Sequence, residues 1–214
     1  MRMEPITWER LAEGLADRAE TVDPPPDTGD RLRIAVDGAP AADPGRLADL
    51  LAEALRVRGR PAFVVPAGGF LRPASLRFEH GRRDTEAYLD GWYDTTALWR
   101  ELFAPLDPGG DGRILPDLWD PVTDRATRSA YLTVPPRGVV ILHGPFLLGH
   151  WFPFDLSVHV RLSPPALARR TGPEESWTLP AFAAYAERVD PETHADVTVR
   201  ADDPRRPAVR VPED

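Results

Sequence analysis

The sequence contains no cysteine, lysine, asparagine or glutamine, and each absence excludes a kind of chemistry. Without cysteine the chain has no disulfide, no thiol nucleophile and no cysteine-ligated zinc. Without lysine it has no Schiff-base nucleophile, and a phosphate-binding loop would lack its usual ammonium group. Without asparagine it has no acceptor for N-linked glycosylation. All 26 basic residues are therefore arginine.

Charge and hydropathy narrow the range of partners. The 34 acidic residues outnumber the 26 arginines and give a formal net charge of -8, which argues against nucleic-acid binding. No apolar run approaches the roughly 20 residues of a membrane span, and the N-terminal segment lacks the apolar core of a signal peptide. We therefore predict a cytoplasmic protein with no membrane or nucleic-acid partner, whose ligand is a small molecule.

The 25 prolines lie between periodic segments rather than in one tract, so they divide the chain into regions. The first segment places Trp8, Leu11 and Leu15 on one face of a helix. With 214 residues the chain is long enough for one domain with its own core. We predict an N-terminal amphipathic helix within 1–22, a proline-rich linker at 23–30, a main domain at 31–203 and a C-terminal tail at 204–214.

Short apolar runs alternate with helix-like segments in the main domain. The runs are continuous, which is typical of strands buried on both faces of a parallel sheet. They lie at residues 32–37, 61–66, 138–143, 155–162 and 196–200. We therefore predict an α/β fold, a three-layer sandwich in which helices cover both faces of a mostly parallel five-stranded sheet. Residues 112–134 interrupt the pattern and are predicted to be an inserted loop or hairpin.

Several short motifs follow one another in the order and spacing of a known family. The first strand ends in Asp37-Gly38 and opens into a loop and a helix, the position at which P-loop proteins bind phosphate. The further motifs are Phe-Leu-Arg-Pro at 70–73, Tyr93-Asp94, Trp119-Asp120, the strand end Ile141-Leu142-His143-Gly144, and an arginine-bearing helix at 164–171. From about Arg31 to Asp203 the chain resembles the uridine kinase family, in particular the bacterial uridine-kinase-like P-loop nucleoside kinases.

This resemblance implies a P-loop kinase-like fold with a nucleoside site beside the phosphate loop. In the family, an acid holds the ribose hydroxyls and an aromatic ring stacks on the base. The positions that the resemblance assigns to substrate binding are Arg72, Tyr93, Asp94, Trp119 and Asp120. The helix after the fourth strand carries Arg169 and Arg170, where the family places a phosphate clamp in its lid.

The groups that the family uses for phosphoryl transfer are missing from the matching positions. The P-loop pattern is G-x-x-x-x-G-K-[ST], and placing it on Gly38 aligns its last three key positions with Asp43, Pro44 and Gly45. The acid that activates the nucleoside hydroxyl in the family falls on Gly68, and the acid that helps to hold the metal falls on His143. The degenerate phosphate loop comprises Gly38, Ala39, Pro40, Asp43, Pro44, Gly45 and Arg46.

The loop sequence also disfavours an anion on physical grounds. A P-loop binds phosphate through consecutive backbone N–H groups, and Pro40 and Pro44 have none. The carboxylate of Asp43 would repel phosphate oxygens by several kcal/mol at a distance of about 4 Å and an effective dielectric constant of about 20. Asp43 followed by Pro44 is instead typical of a helix start, so we predict that its side chain caps the helix by accepting from the N–H of Gly45 or Arg46.

Three hypotheses about function stay open on the sequence alone. In the first, the chain is a pseudokinase or a nucleoside-binding relative that uses no cofactor and no metal. In the second, it is an active kinase dependent on ATP and Mg²⁺, in which Arg46, Arg72 or the lid arginines replace the lysine. In the third, it has a different chemistry built around His143, or it uses its N-terminal helix as an interaction module. The candidate catalytic residues are His143 and Asp37, and the sequence leaves open both enzymatic activity and a homo-oligomeric state.

Overall fold

The computed structural model describes residues 2–211 and shows a central seven-stranded sheet. Five neighbouring strands of this sheet are parallel, and two further strands pair antiparallel at one edge. In spatial order the strands are β1 (Arg2–Pro5), β11 (Ala208–Val211), β10 (Val197–Arg200), β9 (Leu156–Arg161), β2 (Leu32–Gly38), β8 (Val139–Gly144) and β3 (Ala62–Pro66).

Helices cover both faces of the sheet. The two long helices α1 (Trp8–Glu20) and α2 (Pro44–Val57) pack together on one face. The remaining helices are α3 (Ala74–Arg77), α4 (Thr95–Leu98), α5 (Pro164–Arg170), α6 (Leu179–Val189) and α7 (Pro191–His194). Two π-helical turns, at 87–91 and 99–103, flank α4.

The central strand β2 shows why continuous apolar runs predicted a sheet covered on both sides. All seven of its residues are buried. Ile34 and Val36 belong to the apolar cluster beneath α1 and α2, whereas Ala35 belongs to the cluster on the opposite face. Because successive side chains of a strand point to opposite faces, a strand between two helical layers is buried at every position, and most of its residues are apolar. The predicted α/β sandwich is therefore confirmed.

The sheet has two more strands than the five expected from the sequence. Strand β11 lies within residues 204–214, which were predicted to be a tail, and it pairs with both β1 and β10. Residues 212–214 lie outside the described part of the chain. Each of these edge strands has only four residues, too few to give a distinct apolar pattern. Their pairing depends on the meeting of segments from opposite ends of the chain, which local patterns do not predict.

The insertion at 112–134 forms two small antiparallel ladders. The outer ladder pairs β4 (Arg113–Ile114) with β7 (Leu132–Thr133), and the inner ladder pairs β5 (Trp119–Asp120) with β6 (Arg125–Ala126). The insertion packs on the turn that follows β3, where the N–H of Leu118 donates to the carbonyl of Gly69 at 2.8 Å. Among residues 2–211, no helix combines the length and apolar character needed to span a membrane.

Candidate functional site

A cleft of about 400 Å³ opens at the carboxyl ends of β2, β3 and β8. This is the edge at which parallel α/β sheets bind their ligands. One side of the cleft is formed by the phosphate loop and the start of α2, and the other by aromatic residues that precede α4. The lining residues that matter for its chemistry are Pro40, Asp43, Gly68, Trp92, Tyr93 and His143.

Several backbone N–H groups of the phosphate loop donate to acceptors within the loop itself. Residues 40–42 form a 3₁₀ turn, in which the N–H of Ala42 donates to Ala39 at 2.8 Å and the N–H of Asp43 donates to Pro40 at 3.0 Å. The carboxylate of Asp43 accepts from the N–H of Arg46 at 3.3 Å, which confirms the predicted helix cap. The N–H groups of Ala42, Asp43 and Arg46 are therefore bonded within the loop, and Pro40 and Pro44 have no N–H.

The backbone of Asp43 differs from an ordinary helix cap. Its φ is +55° and its ψ is +56°, in the left-handed region, whereas cap residues usually adopt an extended conformation. The 3₁₀ turn before Asp43 leads into α2 through this left-handed conformation of Asp43. Aspartate is one of the few residues besides glycine that adopt it at modest cost, so a single side chain satisfies both the turn and the cap.

Arg46 was a predicted candidate to replace the P-loop lysine, but its side chain points toward α1. Its guanidinium carbon lies 5.4 Å from the ring centroid of Trp8, and its nearest acidic partner is Glu9 at 4.0 Å. Arg46 is exposed on the outer side of the first turn of α2. The Arg46 side chain therefore makes a packing contact between α2 and α1.

His143 lies at the end of β8, against the first turn of α2. A Cβ atom built on Gly45 would be 3.0 Å from His143 Cε1, so only glycine fits beside this ring without displacing it. Burial lowers the pKa of His143, and this effect exceeds the opposing influence of Asp49 and Asp43. The ring therefore favours its neutral form, in which it supplies no positive charge to the loop.

Gly68 and Arg72 occupy the segment after β3 that the resemblance assigned to the substrate. Gly68 lines the cleft, and a Cβ built on it meets no atom within 4 Å, so the position of the catalytic acid is open space. The N–H of Arg72 donates to Trp92 at 2.8 Å, and the N–H of Asp94 donates to Phe70 at 2.8 Å. These bonds bring the Phe-Leu-Arg-Pro and Tyr-Asp motifs together, as the resemblance implies.

Tyr88, Trp92 and Tyr93 form the aromatic wall of the cleft. Tyr88 and Trp92 meet edge to face with ring centroids 4.8 Å apart. Burial raises the pKa of the Tyr93 hydroxyl well above its ordinary value, with smaller contributions from Tyr88 and Asp37. The indole N–H of Trp92 is buried and has no hydrogen-bond partner among the described residues. A buried donor without a partner is costly, so this N–H marks an unsatisfied polar group next to the cleft.

The other residues assigned to the nucleoside have structural partners. Asp94 caps α4 by accepting from the N–H of Ala97 at 2.9 Å. Trp119 donates to Asp124 at 2.9 Å within the inserted hairpin. Asp120 accepts from Thr123, and this hydrogen bond lowers its pKa. Of the predicted substrate residues, Tyr93 lines the cleft, whereas these three do not.

The two lid arginines also have partners in the protein. Arg170 donates to the carbonyls of Ala201 at 3.0 Å and Asp202 at 2.7 Å, which ties α5 to the segment after β10. Arg169 is exposed and donates to Pro165 within its own helix. In this arrangement Arg170 supports the fold, and Arg169 faces solvent.

Asp37, the second candidate catalytic residue, is fully buried beneath the phosphate loop and does not line the cleft. It accepts from the N–H of Leu147 at 2.9 Å and pairs with His159 Nδ1 at 2.6 Å. His159 was missed by the sequence analysis because its role follows from strand pairing, in which Asp37 and His159 are register partners. Trp92 was also missed, although its spacing of four residues from Tyr88 is a helical signal.

The residues at the loop do not fit ATP and Mg²⁺. A P-loop requires free backbone N–H groups, a lysine, and a hydroxyl that binds the metal. Here the loop N–H groups described above are bonded internally, Pro44 replaces the lysine, and Gly45 offers no hydroxyl. The carboxylate of Asp43 would lie beside the phosphate oxygens, and the neutral His143 does not replace the metal-binding acid.

Comparisons with known proteins agree on the fold. No family model matches the chain, and no curated protein matches it. Among solved structures, the "possible uridine kinase" of Bacillus stearothermophilus is 21% identical, with a TM-score of 0.69 over 88% of this chain and 97% of that chain. The YGR205w protein is 12% identical, with a TM-score of 0.59 over 97% of this chain and 100% of that chain.

A third similar structure is a D-glycerate 3-kinase from Cryptococcus neoformans, 14% identical with a TM-score of 0.51 over 84% of this chain and 78% of that chain. At these identities the likeness concerns the fold. The chain therefore has a P-loop kinase-like fold, as its motifs predicted.

Proposed function

We propose that this protein binds a small unphosphorylated molecule, such as a nucleoside, in its cleft and does not transfer phosphate. The observation that carries this proposal is the phosphate loop, whose N–H groups at Ala42, Asp43 and Arg46 are all bonded within the loop. Phosphoryl transfer is catalysed almost entirely by positioning and electrostatic stabilisation of the phosphate. A loop in which these three donors are occupied and no lysine is present weakens both contributions.

The positions of the arginines support the same conclusion. An active kinase with this sequence would need at least one guanidinium at the loop in place of lysine. Arg46 packs on Trp8, and Arg170 is bonded to two carbonyls near β10. Each would exchange these contacts to reach a phosphate. In the alternative, an active kinase that uses ATP and Mg²⁺, one of these side chains, Arg72 or Arg169 would have to move to the loop.

The aromatic wall indicates the kind of ligand. A planar ring can pack against Tyr88 and Trp92, because aromatic pairs are stabilised by edge-to-face and offset contacts. A carbonyl oxygen on that ring would accept a hydrogen bond from the unpartnered indole N–H of Trp92 once the side chains that cover this atom move aside. A nucleoside base combines these two properties. D-Glycerate, the substrate in the name of one similar structure, lacks the ring and serves as a contrasting probe.

The proposal is tested by thermal unfolding of the protein with uridine, D-glycerate and Mg-ATP, each added separately. Ligand at about 100 times its dissociation constant stabilises the folded state by about 2.7 kcal/mol, so a specific ligand raises Tm measurably. We expect uridine to raise Tm and Mg-ATP to leave it unchanged. A Gly68→Leu substitution fills open space in the cleft and should abolish the uridine shift, while Gly172→Leu, also in open space but outside the cleft, should retain it.

A kinase assay with Mg-ATP and uridine completes the test. Turnover of about 1 per second or faster, within the usual range for kinases, would establish the active-kinase alternative. A Tm increase with Mg-ATP that disappears in an Arg46→Ala variant would support the same alternative. The absence of a uridine shift, or a shift that survives Gly68→Leu, would contradict nucleoside binding in the cleft.

A further inference from the structure

A second cavity, of about 380 Å³, lies between β9, α5 and α6. It shares no lining residue with the cleft described above. Its walls are largely apolar, and they include Leu162, Leu167, Leu179, Phe182, Ala183 and Ala186. A volume of this size is within the range of small-molecule sites, which combine apolar walls with a few placed polar groups.

The principal polar group in this cavity is the Asp37–His159 pair. Asp37 is fully buried, and the side chain of His159 is 10% exposed. The 2.6 Å contact joins Asp37 Oδ2 to His159 Nδ1. Because a carboxylate can only accept, Nδ1 carries the hydrogen, and in the uncharged tautomer that this contact selects, Nε2 carries the lone pair. Nε2 has no hydrogen-bond partner among the described residues and lies on the ring edge opposite Asp37.

The orientation of the pair is fixed from several sides. The other carboxylate oxygen of Asp37 accepts from the N–H of Leu147 at 2.9 Å. Tyr185, which also lines the cavity, accepts from the N–H of Leu148 at 3.1 Å. Burial raises the pKa of Tyr185, with a further contribution from Asp37, so its hydroxyl stays uncharged. These bonds hold the imidazole in one position against the cavity.

Three charged residues belong to the lining of the cavity: Arg161, Asp190 and Glu192. Arg161 Nε lies 2.6 Å from Glu192 Oε1, so these two form an ion pair. A charged ligand would meet this ion pair and the exposed carboxylate of Asp190. An uncharged ligand can instead lie against the apolar walls beside His159.

We infer that this cavity binds an uncharged, mainly apolar molecule that carries a hydroxyl group, and that the hydroxyl donates to His159 Nε2. The Asp37–His159 pair acts as the anchor, since Asp37 fixes the tautomer in which Nε2 accepts. Leu167 and Phe182 supply the apolar contact on opposite sides. This site is separate from the cleft and does not depend on the function proposed for it.

The experiment compares phenol with toluene, two probes of similar shape that differ in the hydroxyl donor. Binding is followed by NMR at about pH 8, through the imidazole nitrogens of the ¹⁵N-labelled protein. We expect phenol to shift the Nε2 resonance of His159 and to bind about tenfold more tightly than toluene, the difference that one hydrogen bond provides. The Nε2 resonance of the native protein thus shows whether phenol binds at His159 before any substitution is made.

Two variants and two controls locate the binding site. Ala186→Phe fills the cavity from an exposed position on α6 and should weaken phenol binding about tenfold or more, while Ala126→Phe, in the exposed hairpin, should not. His159→Phe should remove the preference for phenol over toluene. Gly68→Leu, which fills the cleft, should leave both affinities unchanged.

Several results would overturn the inference. These are a proton on Nε2 in the free protein, an Nε2 resonance that phenol does not move, equal affinities for phenol and toluene, or full phenol binding by Ala186→Phe. If His159→Phe fails to fold, the measurements on the native protein and on Ala186→Phe still decide the question, because neither alters the Asp37–His159 pair.

Discussion

Asp43 shows how one residue can serve both the backbone and the cap of a helix start. Its backbone makes the left-handed turn into α2, and its carboxylate caps that helix. The cap uses the N–H of Arg46, a donor at the position where P-loop proteins bind phosphate. A cap contributes about 1 kcal/mol to local stability. In the proposed function, the loop sequence thus stabilises the helix start in place of binding phosphate.

The two roles of Asp43 can be separated by substitution. Asp43→Ala removes the helix cap. It also leaves alanine, which has no polar side chain to offset the strain, in the left-handed backbone conformation. We therefore expect a loss of about 1–2 kcal/mol in the free energy of unfolding. Asp43→Gly removes the cap but adopts the same φ without strain, and should cost no more than about 0.5 kcal/mol. Urea unfolding followed by tryptophan fluorescence measures both.

Asp43→Asn is the matched control, because asparagine both caps helices and tolerates a positive φ. Its stability should lie within about 0.5 kcal/mol of the native protein. Equal losses for the alanine and glycine variants would show that the backbone conformation of Asp43 does not contribute.

At the scale of elements, a buried ion pair joins β2 to the loop that precedes β9. Arg33 donates from Nε and Nη2 to the two carboxylate oxygens of Asp155, both at 3.0 Å. The side chains are 5% and 7% exposed. Arg33 also donates to Asp107 at 2.8 Å, but Asp107 is 39% exposed. Arg33 and Asp37 lie four residues apart in β2 and therefore on the same face of the sheet. The ion pair between Arg33 and Asp155 thus anchors the strand that carries Asp37.

Removal of Asp155 should be far more damaging than removal of Asp107. Asp155→Ala leaves the buried guanidinium of Arg33 without its main partner, and we expect a loss of about 3–5 kcal/mol in the free energy of unfolding. Asp107→Ala removes a partly solvated contact and should cost about 1 kcal/mol or less. Chemical denaturation of both variants measures the difference, and comparable losses would contradict the assignment of Asp155 as the main partner.

The elements also show what the sequence could predict. The α2 cap was predictable because Asp43 and Pro44 act within one turn, and the parallel strands were predictable because burial on both faces makes their runs continuous. The Asp37–His159 pair was not predictable, because it depends on the register of β2 against β9, 122 residues apart in the chain. The capping roles of Asp94 and Asp120 could not be told from substrate binding by sequence, since an acid in a loop can cap a turn or bind a ligand.

At the scale of the whole molecule, the two ends of the described chain close one edge of the sheet together. Arg2 pairs with Val211 and Pro5 with Ala208, so β1 and β11 are antiparallel neighbours. The indole N–H of Trp8 donates to Pro204 at 2.8 Å, which adds a contact from α1 to the same region. Strand β11 has only two paired positions with β10, so β1 supplies most of its pairing.

Deletion of residues 1–6 should therefore release β11 without unfolding the core. We expect the backbone N–H groups of Ala208 and Val209 to lose their protection from hydrogen exchange, because β11 becomes an edge strand with few contacts. Val197 and Val199 in β10 should remain protected, because β9 still pairs with them. Continued protection of β11, or loss of protection across the whole sheet, would contradict this description of the edge.

The aromatic wall of the cleft has an optical consequence. Trp92 and Trp177 lie with ring centroids 5.8 Å apart and planes inclined at 48°, and Tyr88 contacts both rings. Two indoles in a fixed, inclined arrangement couple electronically and contribute to near-ultraviolet circular dichroism, a signal that depends on rigid side-chain packing. The protein thus contains its own chromophore pair at the cleft, which can report occupancy by a colourless ligand without any attached label.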